Sequence, residues 1–408
     1  MSRKKLETVS LICIIIIGLF IRFHDIVNIF PFGWDQARDS FAVVSLVKGQ
    51  QLLEGPKTGI GNFHLGPLYF FLLAPFFLLT GFDPIALQYL NITINLLTLI
   101  IIFYTTKKLF STNSALMILG MYALNAYVIN MNRIPWNVTL VPALSFLIFY
   151  FTYQTFKTKQ FKPTAILMTC CGIFFHAHFT AVVFPIMLGL LWLVNNHKLK
   201  MLWLFLQTLP FYLVWFVPTF IDFFITKQSH YYLTRDFLKY YFVGFHLQFF
   251  LYRLPSVLIQ YFTLLSLPLV AGYLLLVVLG IGYFFTKEKL MIKIIFAWLL
   301  ATFFIFGIYG GPISDYYLFF TLPAVYYTFV IIVREIFKLP RVIALVIVGI
   351  FLTYYAYVNL INDFQQANGG YTKQRDFARE RARVSNPINF NEGDIESYLY
   401  FLYTKQLF

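Results

Sequence analysis

The sequence predicts an all-α polytopic membrane protein, with about eleven transmembrane helices and a long first loop outside the cytoplasm. Three observations carry that expectation. Of 408 residues, 60% are hydrophobic and only 12% charged, with a mean hydropathy of +0.73. No soluble core of this size needs that much apolar surface. Uncharged runs long enough to cross a hydrocarbon layer recur from end to end. Lysine and arginine gather in the loops at alternate ends of those runs. The net charge of +14 therefore needs no nucleic-acid partner, because such bases orient the spans and touch anionic lipid.

The chain opens with "MSRKKLETVSLICIIIIGLFIRF", which begins like a signal peptide. No small-residue cleavage site follows the apolar run, so it is read as an uncleaved first span. Spans are expected near Thr8–His24, Pro84–Tyr104, Asn113–Met131, Val138–Phe156, Lys162–His178 and Thr180–Asn195. Further ones follow near Leu199–Phe224, Thr263–Phe285, Leu290–Tyr309, Tyr316–Arg334 and Arg341–Leu360. The apolar run from Gly66 to Gly81 is short for a crossing and holds Pro75 in its middle. It is read as an interfacial or re-entrant helix.

Basic residues check that choice. With the N-terminus inside, "RKK", Lys107 with Lys108, "KTKQFK", "HKLK", "TKEKLMIK" and "REIFKLPR" all fall in the cytoplasm. Counting Gly66–Gly81 as a span would flip every later loop. The outer face then carries the first loop, Asp25–Asp83, and the turns near "NRIPWN", "HAHF" and "GGPISDYY". It also carries the loop Thr226–Pro255, read as amphipathic helices on the outer leaflet, and a polar tail. Residues 1–361 form one transmembrane unit, and 362–408 a short tail that either packs on the first loop or is partly disordered. Cys13, Cys170 and Cys171 lie in apolar runs and are read as packing residues rather than a disulfide framework. The "NIT" and "NVT" strings at Asn91 and Asn137 lie within or near spans and are read as chance matches.

The unusual polar groups share the outer face. In "FPFGWDQARDSF" a helix is expected to begin near Asp35, with Asp35 as its N-cap. At a boundary between water and membrane the same carboxylate is a candidate general base, able to take a proton from a hydroxyl. Arg38 is either an interfacial side chain reaching for water or an anion contact. Arg133 in "NMNRIPWN" is either an interfacial anchor with Trp136 or a phosphate ligand. His176 and His178, two apart, do not form a helical metal pair. Asp315, after a glycine pair, and Asp222 are each a cap or a cavity contact.

The order and spacing of these motifs resemble the GT-C superfamily of membrane glycosyltransferases. More narrowly, the chain is similar to bacterial and archaeal relatives of protein O-mannosyltransferases and of the lipid A aminoarabinose transferase. Those enzymes carry an Asp-Glu pair early in the first loop and a Pro-Pro-Leu-Tyr-like element later in it. Here "WDQARD" and "HLGPLYFF" stand at those positions, and the resemblance spans at least Leu11 to Leu190. It implies that Asp35 is the catalytic carboxylate that deprotonates the acceptor. It implies that Arg38 binds donor phosphate, with Asp39, His64, Tyr69, Arg133, His176, His178 and Asp315 as substrate contacts. Two departures matter. Gln36 replaces the second acid of the pair, and Leu65 stands where the aminoarabinose enzymes have a lysine, leaving His64 before it as a phosphate or hydroxyl contact.

The expected activity is inverting transfer of a sugar from a polyprenyl phosphate to an acceptor outside the cytoplasm, a glycolipid, glycan or protein. The phosphate is already a good leaving group, so one base and some positive charge, from Arg38, Arg133 or Lys57, suffice. The expected setting is the plasma (inner) membrane, with the lipid bilayer as partner. No cofactor is expected, and a divalent metal is left open, since the carboxylates are too scattered to argue for a ligand set. Two other classes stand beside this reading. A flippase or transporter would place ionisable groups at the midplane, often in repeated halves. A polysaccharide polymerase or ligase would place its chemistry in a later outer loop.

Overall fold

A computed structural model describes residues 2–28, 30–50, 53–58, 64–222, 224, 289–311, 313–361, 371–383, 395 and 398–399. The span expected at Thr263–Phe285 and the loop Thr226–Pro255 lie outside the described residues. Every other expected span is found as helix. The elements run α1 (Arg3–Phe23), α2 (Trp34–Val47), α3 (Leu68–Leu79), α4 (Ile85–Leu109), α5 (Thr112–Leu124) and α6 (Ala126–Arg133). Then come α7 (Leu140–Thr158), α8 (Phe161–Ala177), α9 (Val183–Leu193), α10 (Lys198–Leu213) and α11 (Val217–Ile221). Three long helices, Lys289–Ile308, Leu322–Ile336 and Arg341–Ile361, and the tail helix Tyr371–Arg383 complete the order.

Among the described residues seven helices are long and apolar enough to cross a membrane, and the α5–α6 pair makes an eighth. The protein is a multi-pass membrane protein. The helices Phe161–Ala177 and Phe179–Leu193 are shorter, and they meet at His178. At 17 residues, α8 reaches only about 25 Å.

The span expected at Asn113–Met131 is broken, bending by 62° between α5 and α6. The break exposes backbone groups that a membrane interior cannot hydrate, and side chains satisfy them. The Asn125 side chain accepts from the Val128 N–H at 2.9 Å, and Asn359 accepts from the Ala126 N–H at 2.8 Å. On the other side of the bend, wholly buried Arg22 donates to the carbonyls of Tyr122 at 2.9 Å and Ala123 at 2.8 Å.

One large core joins α4, α5, α7, α8, α9 and the helices Lys289–Ile308 and Leu322–Ile336. A second, smaller core lies under the first loop. There Phe30, Phe32, Phe41 and Val44 meet Tyr69, Leu73 and Phe77 of α3. Two tail tyrosines close it. The Tyr371 N–H donates to the Phe30 carbonyl at 3.0 Å, and the Tyr398 hydroxyl donates to the Phe82 carbonyl at 2.8 Å. The described tail residues thus pack on the first loop. The short α3, which contains Pro75, packs against α2, α4 and α8.

Candidate active site at the first loop

The motif "GWDQARD" folds as the first turns of α2. Its N-cap is Gly33, not Asp35 as expected, and Asp35 sits in the first helical turn. The reason lies in Gln36. Its side-chain oxygen accepts the Gly33 N–H at 3.0 Å, which closes the helix start. Its amide donates to the Pro135 carbonyl at 3.2 Å, tying α2 to the strip that carries Trp136 and Asn137. A carboxylate could make only the first of these contacts, so the departure from an Asp-Glu pair has a structural use here. Released from capping, Asp35 keeps a carboxylate 46% exposed, near the positive end of the helix dipole.

Arg38 is the hub. Its Nη1 donates to Asp35 at 2.8 Å and to the Lys57 carbonyl at 3.0 Å. Its Nε and Nη2 both donate to Asp39 Oδ1, at 2.8 and 2.6 Å. The guanidinium lies 5.1 Å from the centre of the Trp34 ring. Burial works against its charge, but Asp39 and Asp35 outweigh that and hold its pKa above the ordinary value. Asp39 is fully buried behind it, with Oδ2 unpartnered. Burial pushes the Asp39 carboxyl up, to about 6, against the pull of Arg38.

Lys57 reaches the site on a short two-stranded pairing. The Gly55 N–H donates to the Leu65 carbonyl at 2.7 Å, the Leu65 N–H to the Pro56 carbonyl at 3.1 Å, and Lys57 bridges His64. The pairing is so close that a Cβ on Gly55 would strike the Gly66 carbonyl. Gly66 in turn lies against the His176 ring, which a Cβ there would overlap. His176 Nδ1 accepts the Leu68 N–H at 3.2 Å, at the start of α3, while Nε2 donates to the Trp215 carbonyl at 2.7 Å. "HLGPLY" is therefore a joint that clamps the first loop onto α8.

These elements enclose a cavity of about 470 Å³ lined by Trp34, Asp35, Arg38, Lys57, Trp136, Asn137, His178, Tyr316 and others. That is a size suited to a small ligand. The wall opposite α2 is aromatic, with Trp136 and Tyr316 rings 4.7 Å apart and His178 5.7 Å from Tyr316. His178 Nδ1 contacts the Thr180 hydroxyl at 2.8 Å and accepts the Thr180 N–H at 3.3 Å, leaving the ring proton on Nε2. The Asn137 amide donates to the Ala177 carbonyl at 2.7 Å. Asp35 is the one carboxylate among the described lining side chains.

The expected site thus divides. Asp35, Arg38, Lys57 and His178 come together at the cavity. Asp39 and Tyr69 are buried beneath it as supports, because both pack into the first-loop core region. Arg133 turns away, donating to the Ile21 carbonyl at 2.8 Å. His64 stays in the pairing with Lys57, its Nδ1 3.1 Å from the Gly55 carbonyl and 3.4 Å from Glu54. His176 caps α3, and Asp222 is buried elsewhere. The Asp315 side chain lies outside the described residues, although the backbone there opens a 3-10 stretch, Asp315–Thr321. Asn137, Tyr316, Tyr317 and Trp136 also line the cavity, and none of them was expected there. A sequence signal existed only for the tryptophan. Among the described residues no group of three or more His, Cys, Asp or Glu side chains is placed to hold a metal ion.

Residues 64–221 match the family described as dolichyl-phosphate-mannose-protein mannosyltransferase. Comparison with curated proteins finds no match. Among solved structures, the chain is similar to ArnT from Cupriavidus metallidurans bound to undecaprenyl phosphate, with a TM-score of 0.54 and 13% identity. That match covers 99% of this chain and 70% of ArnT. It is also similar to the archaeal oligosaccharyltransferase AglB from Archaeoglobus fulgidus, in complex with an inhibitory peptide and a dolichol-phosphate, with a TM-score of 0.60 and 12% identity. Here the match covers 100% of this chain and 60% of AglB, so the chain spans less than two thirds of that relative.

Proposed function

We propose that this chain, which has the GT-C fold of membrane glycosyltransferases, moves a sugar from a polyprenyl phosphate to an acceptor hydroxyl, with inversion. The observation that carries the proposal is one half-exposed carboxylate, Asp35, beside two cations, Arg38 and Lys57, in one cavity. Such a donor needs a base for the acceptor and positive charge for the leaving phosphate, and no acid.

In this reading the acceptor oxygen attacks the anomeric carbon while its proton passes to Asp35. The bond from that carbon to the phosphate oxygen breaks, and the electron pair leaves with the polyprenyl phosphate. Attack from the face opposite the phosphate inverts the centre. Arg38 serves two anions in turn. Its two bonds to buried Asp39 fix the guanidinium, while its Nη1 bond to Asp35 is the one a donor phosphate would replace. That exchange frees the base as the donor arrives. Trp136 and Tyr316 offer flat apolar faces for the carbon side of a sugar ring.

The test incubates membranes with a panel of labelled polyprenyl-phosphate sugars and compares wild type with Asp35→Asn. Equal label transfer by the two would remove Asp35 from the chemistry. Solute accumulation in vesicles without donor consumption would favour transport instead.

A further inference from the structure

A second polar cavity, of about 210 Å³, lies at the far end of α8 from the first. Lys159 precedes α8 and His178 follows it, so roughly 25 Å of helix separates the two sites. Three stretches distant in sequence supply its polar wall. Lys159 comes from the end of α7, Asn195, Asn196 and His197 from the turn between α9 and α10, and Lys293 from the helix Lys289–Ile308. Phe156, Leu191, Val194 and Leu290 form the apolar remainder.

We propose that this cavity binds a phosphate monoester or diester group, presented by an anionic phospholipid headgroup or by free phosphate. Both lysines are only half-buried, and among the described residues no carboxylate lines the cavity and neither lysine makes an ion pair. Two lysines that line one small space place like charges together, which an anion between them would relieve. Asparagine amides and an imidazole beside them add further hydrogen-bond donors, the complement a phosphate oxygen set accepts. The turn is built rather than loose, since Asn195 accepts the His197 N–H at 2.8 Å and Trp192 donates to the Lys198 carbonyl at 2.9 Å. Lys159 also holds a left-handed backbone, with φ of 54°, where glycine is the usual helix terminator. The position keeps a cationic side chain at a conformational cost. Apolar wall beside basic rim matches a headgroup with its acyl chains alongside.

The full-length protein in nanodiscs tests this. Thermal stability and retained lipid by native mass spectrometry would be compared in phosphatidylcholine alone and with added phosphatidylglycerol, and separately with inorganic phosphate. Wild type should be stabilised by one or both anions. Lys159→Gln with Lys293→Gln should bind that anion about fivefold more weakly per lysine removed. Lys159→Arg with Lys293→Arg should retain it. Response to phosphatidylglycerol alone assigns the site to a lipid, and response to phosphate as well assigns it to the phosphate group itself. The single Lys293→Gln variant covers the case in which the double variant does not fold. Glutamine variants that bind both anions like wild type, or a wild type that responds to neither, would overturn the proposal. Sugar transfer by the glutamine variants in phosphatidylcholine should stay unchanged, so failure here and failure of the Asp35 mechanism read out separately.

Discussion

Arg38, with 15% of its side chain exposed, and Arg22, wholly buried, are both enclosed arginines, yet their surroundings differ in kind. Arg38 is held by the carboxylates of Asp35 and Asp39 and lines a cavity. Arg22 touches no carboxylate among the described residues. It donates to the carbonyls of Gly18, Tyr122 and Ala123 and lies 5.4 Å from the Tyr122 ring centre. A carbonyl-bound guanidinium closes a broken helix and has nothing to exchange. A carboxylate-bound one can trade one anion for another, which is what a phosphate site needs. Arg133 belongs with Arg22, since it holds the Ile21 carbonyl at the same junction. The partner, rather than the residue type, divides scaffold from site.

The largest effect should come from the carboxylate that Arg38 can release. Asp35→Asn should cut transfer by roughly 10²–10⁴-fold, the range for a lost general base, with thermal stability nearly unchanged. Arg38→Ala should follow, raising the donor KM by about 10–100-fold, as loss of charge-assisted bonds of about 1.5–3 kcal/mol implies. Arg22→Met should act in the other currency. Unsatisfied carbonyls at the α5–α6 bend should lower stability by about 2 kcal/mol or more, seen as a lower Tm in detergent, with donor KM in the surviving protein close to wild type. A shifted KM at unchanged Tm would erase the distinction between the two arginines.

The smallest effect is a pH dependence. As pH falls through about 6, Asp39 takes up a proton and loosens its grip on Arg38, so transfer should decline. Stability should move the opposite way. The Asp39 pKa in the fold lies above the ordinary 3.8, so folding favours the protonated acid. Its contribution to stability is full at acid pH and shrinks as pH rises from 3.8 to about 6. Asp39→Asn should flatten the acid limb of the transfer profile. An unchanged limb in that variant would assign the titration to another group.

Much of the fold was legible because hydrocarbon imposes a simple length and polarity rule on each span. The same rule marks Gly66–Gly81 as a short apolar run, and it folds as the 12-residue α3. The bend at Asn125 was not legible, since its freed backbone groups are satisfied by Arg22 and Asn359, far away in sequence. At the site, Asp35 and Arg38 were readable as a charged pair spaced one helical turn apart. Asn137 and Tyr316 were not, because nothing local marks a residue that a cavity will recruit. His176 shows the converse. In "FFHAHF" it reads as a substrate contact, yet its ring is spent on the start of α3 and the Trp215 carbonyl.

By itself the sequence determined that the chain crosses a membrane many times, which apolar runs are too short to cross, and where its few charges gather. Those are properties of single segments in their solvent. Only the tertiary structure decided which charges face a cavity and which close a broken helix. Those outcomes depend on partners brought from distant segments, and a hydrogen bond has no identity until both of its ends are in place.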